Sequence, residues 1–126
     1  MKQIIRTPDA PEAVGAYSQG TTNGNVVFTA GQIPVTPDGD HLEDEPISVQ
    51  TRQCLENLKA VIEEEGLSMQ SVLKVTVYLA DIGDFEAMNE AYAEYFQDNP
   101  PARSAVGVDA LPKDAAIEIE AVATSS

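Results

Sequence analysis

The sequence predicts one α+β domain in which two helices cover one face of a β-sheet. Two stretches carry apolar residues at helical spacing, and they alternate with four short β-rich runs in the order strand, helix, strand, helix, strand, strand. No repeat or linker divides residues 1–126, and a chain of this length can bury a core without disulfides or metal. Because two helices cannot cover both faces of such a sheet, the second face is either buried by another subunit or carries polar residues. Its candidate residues are mixed, and we expect a homo-oligomer.

The first half of the chain contains a predicted strand over residues 26–30 and a predicted helix over residues 48–65. The strand is rich in residues that favour β-structure and lies between a Thr-Asn-Gly turn sequence and Gly31. Ser48 is expected as the N-cap of the helix, and Gly66 is expected just after its C-cap. The apolar face of this helix, which we expect to enter the core, contains Cys54, Leu55, Leu58 and Ile62.

The second half contains a predicted strand over residues 72–79 and a second helix that begins after Asp84. The Asn-Pro-Pro sequence at residues 99–101 ends this helix, because proline cannot continue it. Two further strands are predicted over residues 102–108 and 116–123. The apolar stripe of the second helix consists of Phe85, Met88, Tyr92, and Tyr95 or Phe96.

Arg103 is one of three arginines and lies in an apolar, strand-like run, while Glu118 and Glu120 lie in the next such run. If the two strands form a hairpin that turns near residues 110–111, the arginine faces one of the glutamates across the sheet. A guanidinium in that place forms either a structural ion pair or a site for a small carboxylate substrate. Spacing alone favours the ion pair. The remaining glutamate is then either a solvated strand residue or a group that positions a water.

Three other residues are candidate site residues, and each of them also has an ordinary structural explanation. Tyr17 lies among small residues and is either a packing residue or part of a site. Gly31 follows a strand and can offer its backbone N–H and C=O groups to a ligand. A glycine that only forms a turn or a bulge would occupy the same position in the sequence. Asn89 lies on the second helix, where it binds a ligand or is solvated.

Composition argues against several classes of function. The chain has 21 acidic and 7 basic residues and a net charge of −14, so we expect no nucleic-acid partner. The acids are spread over loops and helix faces, as in salt-adapted proteins, and a halophilic source is a hypothesis. Cys54 and His41 are the only cysteine and the only histidine, which disfavours a disulfide, a metal site and a Ser-His-Asp triad. No apolar run is long enough for a bilayer, so we expect a soluble, cytoplasmic protein with no membrane partner.

The sequence resembles the RidA family, also called the YjgF family, along nearly its whole length. The family is also known under the names endoribonuclease L-PSP and translation initiation inhibitor. The matching segments are residues 15–19, 28–35, 50–61, 75–79, 84–89 and 111–114, together with Pro101-Ala102-Arg103-Ser104 and Ile117-Glu118-Ile119-Glu120-Ala121. The last two elements at this spacing are specific to the family.

The resemblance implies a chorismate-mutase-like α+β fold with a mixed sheet, assembled as a homotrimer with clefts between subunits. It implies hydrolytic deamination of enamines and imines such as 2-aminoacrylate and 2-iminobutanoate to 2-keto acids and ammonia, without a cofactor or metal. By the family pattern, Arg103 grips the substrate carboxylate, Gly31 supplies backbone contacts and Glu118 holds the attacking water. Tyr17 closes the pocket from a neighbouring subunit. Glu120 is left as the structural partner of the arginine.

Three positions depart from the family pattern, and Ala30 is the most consequential. A Ser or Thr hydroxyl is common there, so a hydrogen bond to substrate or water is expected to be missing. Ala105 replaces a frequent cysteine, and Ala16 replaces a frequent proline beside Tyr17. The change at position 30 favours an alternative function, a trimer that binds 2-keto acids without turnover. RNA cleavage, the third hypothesis, is disfavoured by the charge of −14.

Overall fold

The computed structural model describes residues 1–125 and contains a six-stranded mixed sheet with two helices packed on one face. The strand order is β1-β2-β3-β6-β4-β5, and only the β4–β5 pair is parallel. The α+β prediction with both helices on one face is therefore confirmed. The elements are β1 (Gln3–Ile5), β2 (Gly20–Thr22), β3 (Val26–Thr29), α1 (Ile47–Glu64), β4 (Val72–Leu79), α2 (Phe85–Ala93), β5 (Ala102–Gly107) and β6 (Ile117–Thr124).

The core lies between the helices and alternate residues of the central strands. Strands β4 and β6 alternate strictly between buried and half-buried side chains over most of their length, because successive side chains of a strand point to opposite faces. Cys54 is fully buried in this core as predicted, and burial raises the pKa of its thiol well above the usual value. The buried residues that face the helices include Val75, Val77, Leu79, Ile117 and Ile119.

The opposite face of the sheet is a mixture of polar and apolar side chains. Thr76 and Tyr78 of β4 pair with Glu120 and Glu118 of β6, and all four are half-buried. Phe28 of β3 stands on the same face and is 55% exposed. None of the described residues covers this face, which has the composition expected of an interface with polar pockets.

The predicted hairpin between the last two strands is wrong. β5 pairs with β4 in parallel, with Arg103 beside Val75, and β6 inserts between β3 and β4. The physical reason is that β4, α2 and β5 form a strand–helix–strand unit, in which the helix returns the chain to run parallel. Arg103 is consequently two strands away from Glu118 and Glu120, about 10 Å across the sheet.

The helix ends also differ in detail from the predictions. The N-cap of α1 is Pro46 rather than Ser48, with no side-chain hydrogen bond to the cap. Gly66 lies after the C-cap as predicted, with a φ of 76° and its N–H bonded to the Glu63 carbonyl. Helix α2 ends at Ala93, well before the prolines, although Phe96 beyond it is still buried.

Candidate functional site

Arg103 lies on the helix side of the edge strand β5 and is held there by uncharged groups. Its Nη1 donates a hydrogen bond to Oδ1 of Asn89, with an N···O distance of 2.7 Å. Its Cζ lies 4.7 Å from the ring centroid of Tyr92 and 5.4 Å from that of Phe85. No carboxylate among residues 1–125 forms an ion pair with it. The ion-pair interpretation of Arg103 is therefore wrong within one chain.

The surroundings of Arg52 show what a structural arginine in this protein looks like. Its Nε and Nη2 donate to the two carboxylate oxygens of Glu94 at 3.0 and 2.8 Å, in a bidentate pair on the surface between α1 and α2. This contact raises the pKa of Arg52 and lowers that of Glu94. Arg103 has no such partner among the described residues, so its charge is left available to a ligand.

Glu118 is on the other face of the sheet and contacts Gly31. A pair of backbone hydrogen bonds between Gln32 and Ile119, at 2.8 and 3.0 Å, brings the segment after β3 alongside β6. A Cβ atom at Gly31 would collide with Oε2 of Glu118 and lie 2.8 Å from its Cδ. Only a glycine leaves space here for the carboxylate. Gly31 therefore sets the position of Glu118 through the absence of a side chain.

The carboxylate of Glu118 is half-buried and has no hydrogen-bonding partner among the described side chains. Burial raises its pKa, and the nearby charge of Glu120 raises it further. A carboxylate with a raised pKa and free acceptor sites is suited to hold a water molecule and accept its proton.

Glu120 does not pair with Arg103, contrary to the expectation that it is the structural partner of the arginine. Its Oε2 accepts a hydrogen bond of 3.0 Å from the hydroxyl of Tyr78, on the same face of the sheet as Glu118. This bond raises the pKa of Tyr78. Glu120 is therefore a structural residue with a different partner.

Tyr17 and Gly31 of the same chain line one groove of about 610 Å³. The side chain of Tyr17 is 56% exposed, and its loop is joined to the segment before Gly31 by a 2.8 Å hydrogen bond from the Ala30 N–H to the Gln19 carbonyl. Neither Arg103 nor Glu118 lines this groove. Ala30 is half-buried beside Gly31 and offers only backbone groups to a ligand.

Gln19 fixes the loop of Tyr17 and was not among the candidate residues predicted from the sequence. Its buried side chain accepts a hydrogen bond of 2.7 Å from the Thr7 N–H and donates to the carbonyls of Thr7 and Pro11 at 3.0 and 2.8 Å. These bonds hold the arm before β2 in place. A glutamine two residues after the tyrosine was the available signal, because a buried amide must satisfy both its donor and its acceptor.

The structure separates the candidate residues into two half-sites. The first, the glutamate half-site, consists of Gly31 and Glu118 with Ala30 and Tyr17 next to them. The second, the arginine half-site, consists of Arg103 and Asn89 with two aromatic rings. They lie on opposite faces of the sheet, because Arg103 is in register with the inward-facing Val75 while Glu118 is in register with the outward-facing Tyr78.

Residues 1–125 contain neither a cluster of metal-binding side chains nor a helix that could span a membrane. Within residues 1–125, no three or more His, Cys, Asp or Glu side chains come together in a way that could bind a metal ion. Neither helix in this part of the chain has the length and hydropathy needed to cross a membrane.

Known proteins resemble this chain over its full length. Residues 7–125 match the family described as Endoribonuclease L-PSP. A RutC family protein of Pyrococcus horikoshii is 54% identical over 123 residues, which cover 98% of either chain. A protein of Escherichia coli K12 named "Putative reactive intermediate deaminase TdcF" is 44% identical over 129 residues, covering 100% of this chain and 99% of its own length.

Solved structures of such relatives superpose closely. The crystal structure of E. coli TdcF with bound serine gives a TM-score of 0.94 at 44% identity, covering 98% of this chain and 99% of that one. The crystal structure of the E. coli YjgF gene product gives a TM-score of 0.94 at 42% identity, again covering 98% and 99%. The fold is thus the chorismate-mutase-like fold of these proteins, as the resemblance implied.

Proposed function

This chain belongs to the endoribonuclease L-PSP family, and from that premise we propose that it hydrolyses reactive enamines and imines to 2-keto acids and ammonia. The substrates are 2-aminoacrylate and 2-iminobutanoate, and their removal protects pyridoxal-phosphate enzymes. The proposal takes the protein to act in the cytoplasm as a homotrimer without a cofactor. The observation that carries it is the environment of Arg103, a guanidinium held by neutral groups with no carboxylate partner among the described residues.

The chemistry requires a carboxylate grip and one base. The enamine 2-aminoacrylate tautomerises to 2-iminopropanoate, whose C=N carbon is already electrophilic. In our proposal, Arg103 binds the substrate carboxylate and Glu118 accepts a proton from water as the water oxygen bonds to that carbon. The C=N electron pair moves onto the nitrogen, which takes the proton back from Glu118 and so gives the carbinolamine. As the C–N bond breaks, the hydroxyl oxygen loses its proton and forms the C=O bond of the keto acid. The nitrogen takes up that second proton and leaves as ammonia. Orientation supplies most of the acceleration for so reactive a substrate.

We propose that each site lies between two subunits. The arginine half-site and the glutamate half-site occupy opposite faces of the sheet, so one chain does not bring them together. A homotrimer lets the glutamate half-site of one chain, with its Tyr17, meet the arginine half-site of the next. The mixed, partly apolar face around Phe28 supports burial against a neighbouring copy.

Ala30 favours a second candidate function. Without a hydroxyl at this position, a bound substrate or water has one donor fewer beside Gly31. The alternative is a trimer that binds small 2-keto acids as a regulator and does not turn them over. RNA cleavage, which the family's name mentions, is not proposed because a charge of −14 repels a phosphate backbone.

A coupled assay distinguishes the two candidates. Serine dehydratase generates 2-aminoacrylate from serine, and the appearance of pyruvate is followed with and without the protein. A deaminase accelerates pyruvate release, and Arg103→Met returns the rate to that of buffer. Arg52→Met is the matched control, because this arginine pairs with Glu94 away from both half-sites and its loss leaves the rate unchanged. A regulator instead gains thermal stability from pyruvate while hydrolysis stays at the buffer rate.

A further inference from the structure

The side chains around the Arg103 guanidinium hold it without cancelling its charge. Oδ1 of Asn89 accepts the Nη1 hydrogen bond at 2.7 Å, and the rings of Tyr92 and Phe85 lie 4.7 and 5.4 Å from Cζ. An aromatic face attracts a cation through its quadrupole, but it carries no net charge. The chain contains 21 acidic residues, so the absence of one here within residues 1–125 is a specific feature of the site.

Tyr92 is fixed by the core rather than by its own hydroxyl group. Only 5% of the residue is exposed, and its ring packs against that of Phe96 with centroids 4.8 Å apart. The hydroxyl is buried and has no hydrogen-bonding partner among the described residues. Burial raises its pKa to about 12, so the group stays protonated and cannot act as an anionic partner for Arg103. What Tyr92 offers to the arginine is therefore its ring face.

We propose that Tyr92 is a positioning residue, whose ring holds the guanidinium of Arg103 in the orientation that receives a substrate carboxylate. Phe85 supports the same cation at a longer distance, and Asn89 fixes one of its nitrogens, Nη1. The other N–H groups of the guanidinium form no hydrogen bond with residues 1–125 and are left for the ligand. The inference rests on the proposed function for the ligand, a small 2-keto or 2-imino acid.

The three groups come from one stripe of α2, which makes the arrangement a property of the helix. Phe85, Asn89 and Tyr92 are spaced four and three residues apart and so project from the same side of the helix. Helix α2 precedes β5 in the strand–helix–strand unit and lies over the edge strand that carries Arg103. A rigid element thus presents the rings, as a precise binding geometry requires.

The test measures the affinity for pyruvate, a carboxylate probe, and for 2-oxopropanamide, its uncharged amide. Both are titrated calorimetrically into the full-length assembled protein, and KM and kcat are taken from the coupled assay. Tyr92→Leu removes the ring face, Tyr92→Phe keeps it, and Phe85→Leu removes the more distant ring. Tyr95→Leu is the control for lost packing near α2, because its hydroxyl binds Glu56 at 2.6 Å and not the arginine site.

We expect Tyr92→Leu to raise the Kd for pyruvate about 3- to 30-fold, the range of a partly buried cation–π contact. KM rises by the same factor while kcat stays within about 2-fold. The Kd for the amide is unchanged, Tyr92→Phe binds pyruvate within about 2-fold of the wild type, and Phe85→Leu shows a smaller rise than Tyr92→Leu.

Several outcomes overturn the proposal. One is a folded Tyr92→Leu protein whose affinity for pyruvate is unchanged, or whose affinities for pyruvate and the amide fall equally. Another is a Tyr92→Phe protein as impaired as Tyr92→Leu. If Tyr92→Leu fails to fold, the test passes to Phe85→Leu, which must lower the affinity for pyruvate without lowering that for the amide. A Phe85→Leu protein that binds pyruvate as tightly as the wild type then rejects the inference.

Failure of this inference is distinguishable from failure of the proposed function. If pyruvate binding depends on Tyr92 but the wild type does not accelerate imine hydrolysis, the inference is supported and the proposed deaminase function is rejected. A wild type that deaminates while Tyr92→Leu binds pyruvate normally rejects the inference alone. A wild type that does not bind pyruvate rejects the positioning role.

Discussion

Replacing Asn89 by Asp should stabilise the fold and at the same time destroy the carboxylate site. The substitution keeps the shape of the side chain and places a charged oxygen where Oδ1 accepts the 2.7 Å hydrogen bond from Arg103. A carboxylate in this place adds a Coulomb attraction to the guanidinium that the neutral amide lacks. Both residues are half-buried, so screening by solvent reduces the gain to about 1 kcal/mol.

The same change removes the free charge of Arg103. We expect the affinity for pyruvate to fall about 30- to 100-fold, because the guanidinium is neutralised and the new carboxylate repels the ligand. Thermal unfolding should shift upward by about 3–5 °C for a domain of this size. Stability and binding therefore move in opposite directions, which a general disturbance of α2 would not produce.

The pH dependence of the added stability has a defined sign. The pKa of the new Asp is lowered by Arg103 in the folded protein, relative to about 3.9 in the unfolded chain. The added stability is fully present at pH values above the pKa of the Asp in the unfolded chain, and it is lost as the pH falls through the lower pKa of the folded protein. Thermal unfolding of the variant and the wild type at pH 7 and at pH 3 measures this difference.

Asn99→Asp is the matched control for Asn89→Asp. It adds the same charge in the exposed loop between α2 and β5, where the φ of 48° suits Asp as well as Asn. Its affinity for pyruvate should equal that of the wild type. An Asn89→Asp protein that still binds pyruvate normally would refute the role of Arg103, and a drop in its melting temperature would refute the contact.

The remaining predictions concern the glutamate half-site, the core and the surface charge. Gly31→Ala forces the Glu118 carboxylate to move, so turnover in the coupled assay should be lost. The free energy of unfolding in urea should change by less than about 1 kcal/mol, because the displaced group is the end of a flexible, half-buried side chain; retained turnover would contradict the contact. The pKa of Glu118 is raised in the folded protein, so the stability that its protonated form contributes is lost as the pH rises through this folded pKa. Glu118→Gln has no charge to desolvate, so it should melt at a higher temperature than the wild type at pH 7, while losing turnover. When the pH is lowered, the turnover of the wild type should decline at a higher pH than it would if the base were a glutamate with an ordinary pKa. Tyr92→Phe removes a buried, unpartnered hydroxyl and should raise the free energy of unfolding by about 1 kcal/mol, as measured by denaturant titration. If the acidic surface reflects salt adaptation, the melting temperature should fall between about 1 M and 50 mM salt, and an unchanged value would reject that hypothesis.

The local spacing of apolar residues predicted the helices and the faces of the strands. It did not predict which strands pair, because pairing joins segments that are distant in the sequence. The apolar spacing of Leu55, Leu58 and Ile62 located α1 to within two residues at either end. The β5–β6 hairpin failed because adjacency in the chain was taken for adjacency in the sheet. The strand–helix–strand order already implied a parallel β4–β5 pair, and this signal was available in the sequence.

The arginine half-site shows the same limit. Phe85 and Tyr92 were recognised as part of an apolar stripe, and Asn89 was treated separately. Their common spacing places all three on one side of α2, but only the packing of the helix over the edge strand shows that Arg103 meets them. The contact between Gly31 and Glu118 likewise joins residues 87 positions apart and could not be read from spacing.

The assembly of each site from two subunits is tested most directly by mixing two inactive variants. Arg103→Met lacks the arginine half-site and Glu118→Gln lacks the glutamate half-site, so neither trimer alone should hydrolyse 2-aminoacrylate. When equal amounts are unfolded and reassembled together, about one interface in four pairs the two intact half-sites. About one quarter of the wild-type activity should therefore return. Activity that stays at the level of the parents, in trimers that native mass spectrometry shows to be mixed, would contradict a site shared between two subunits.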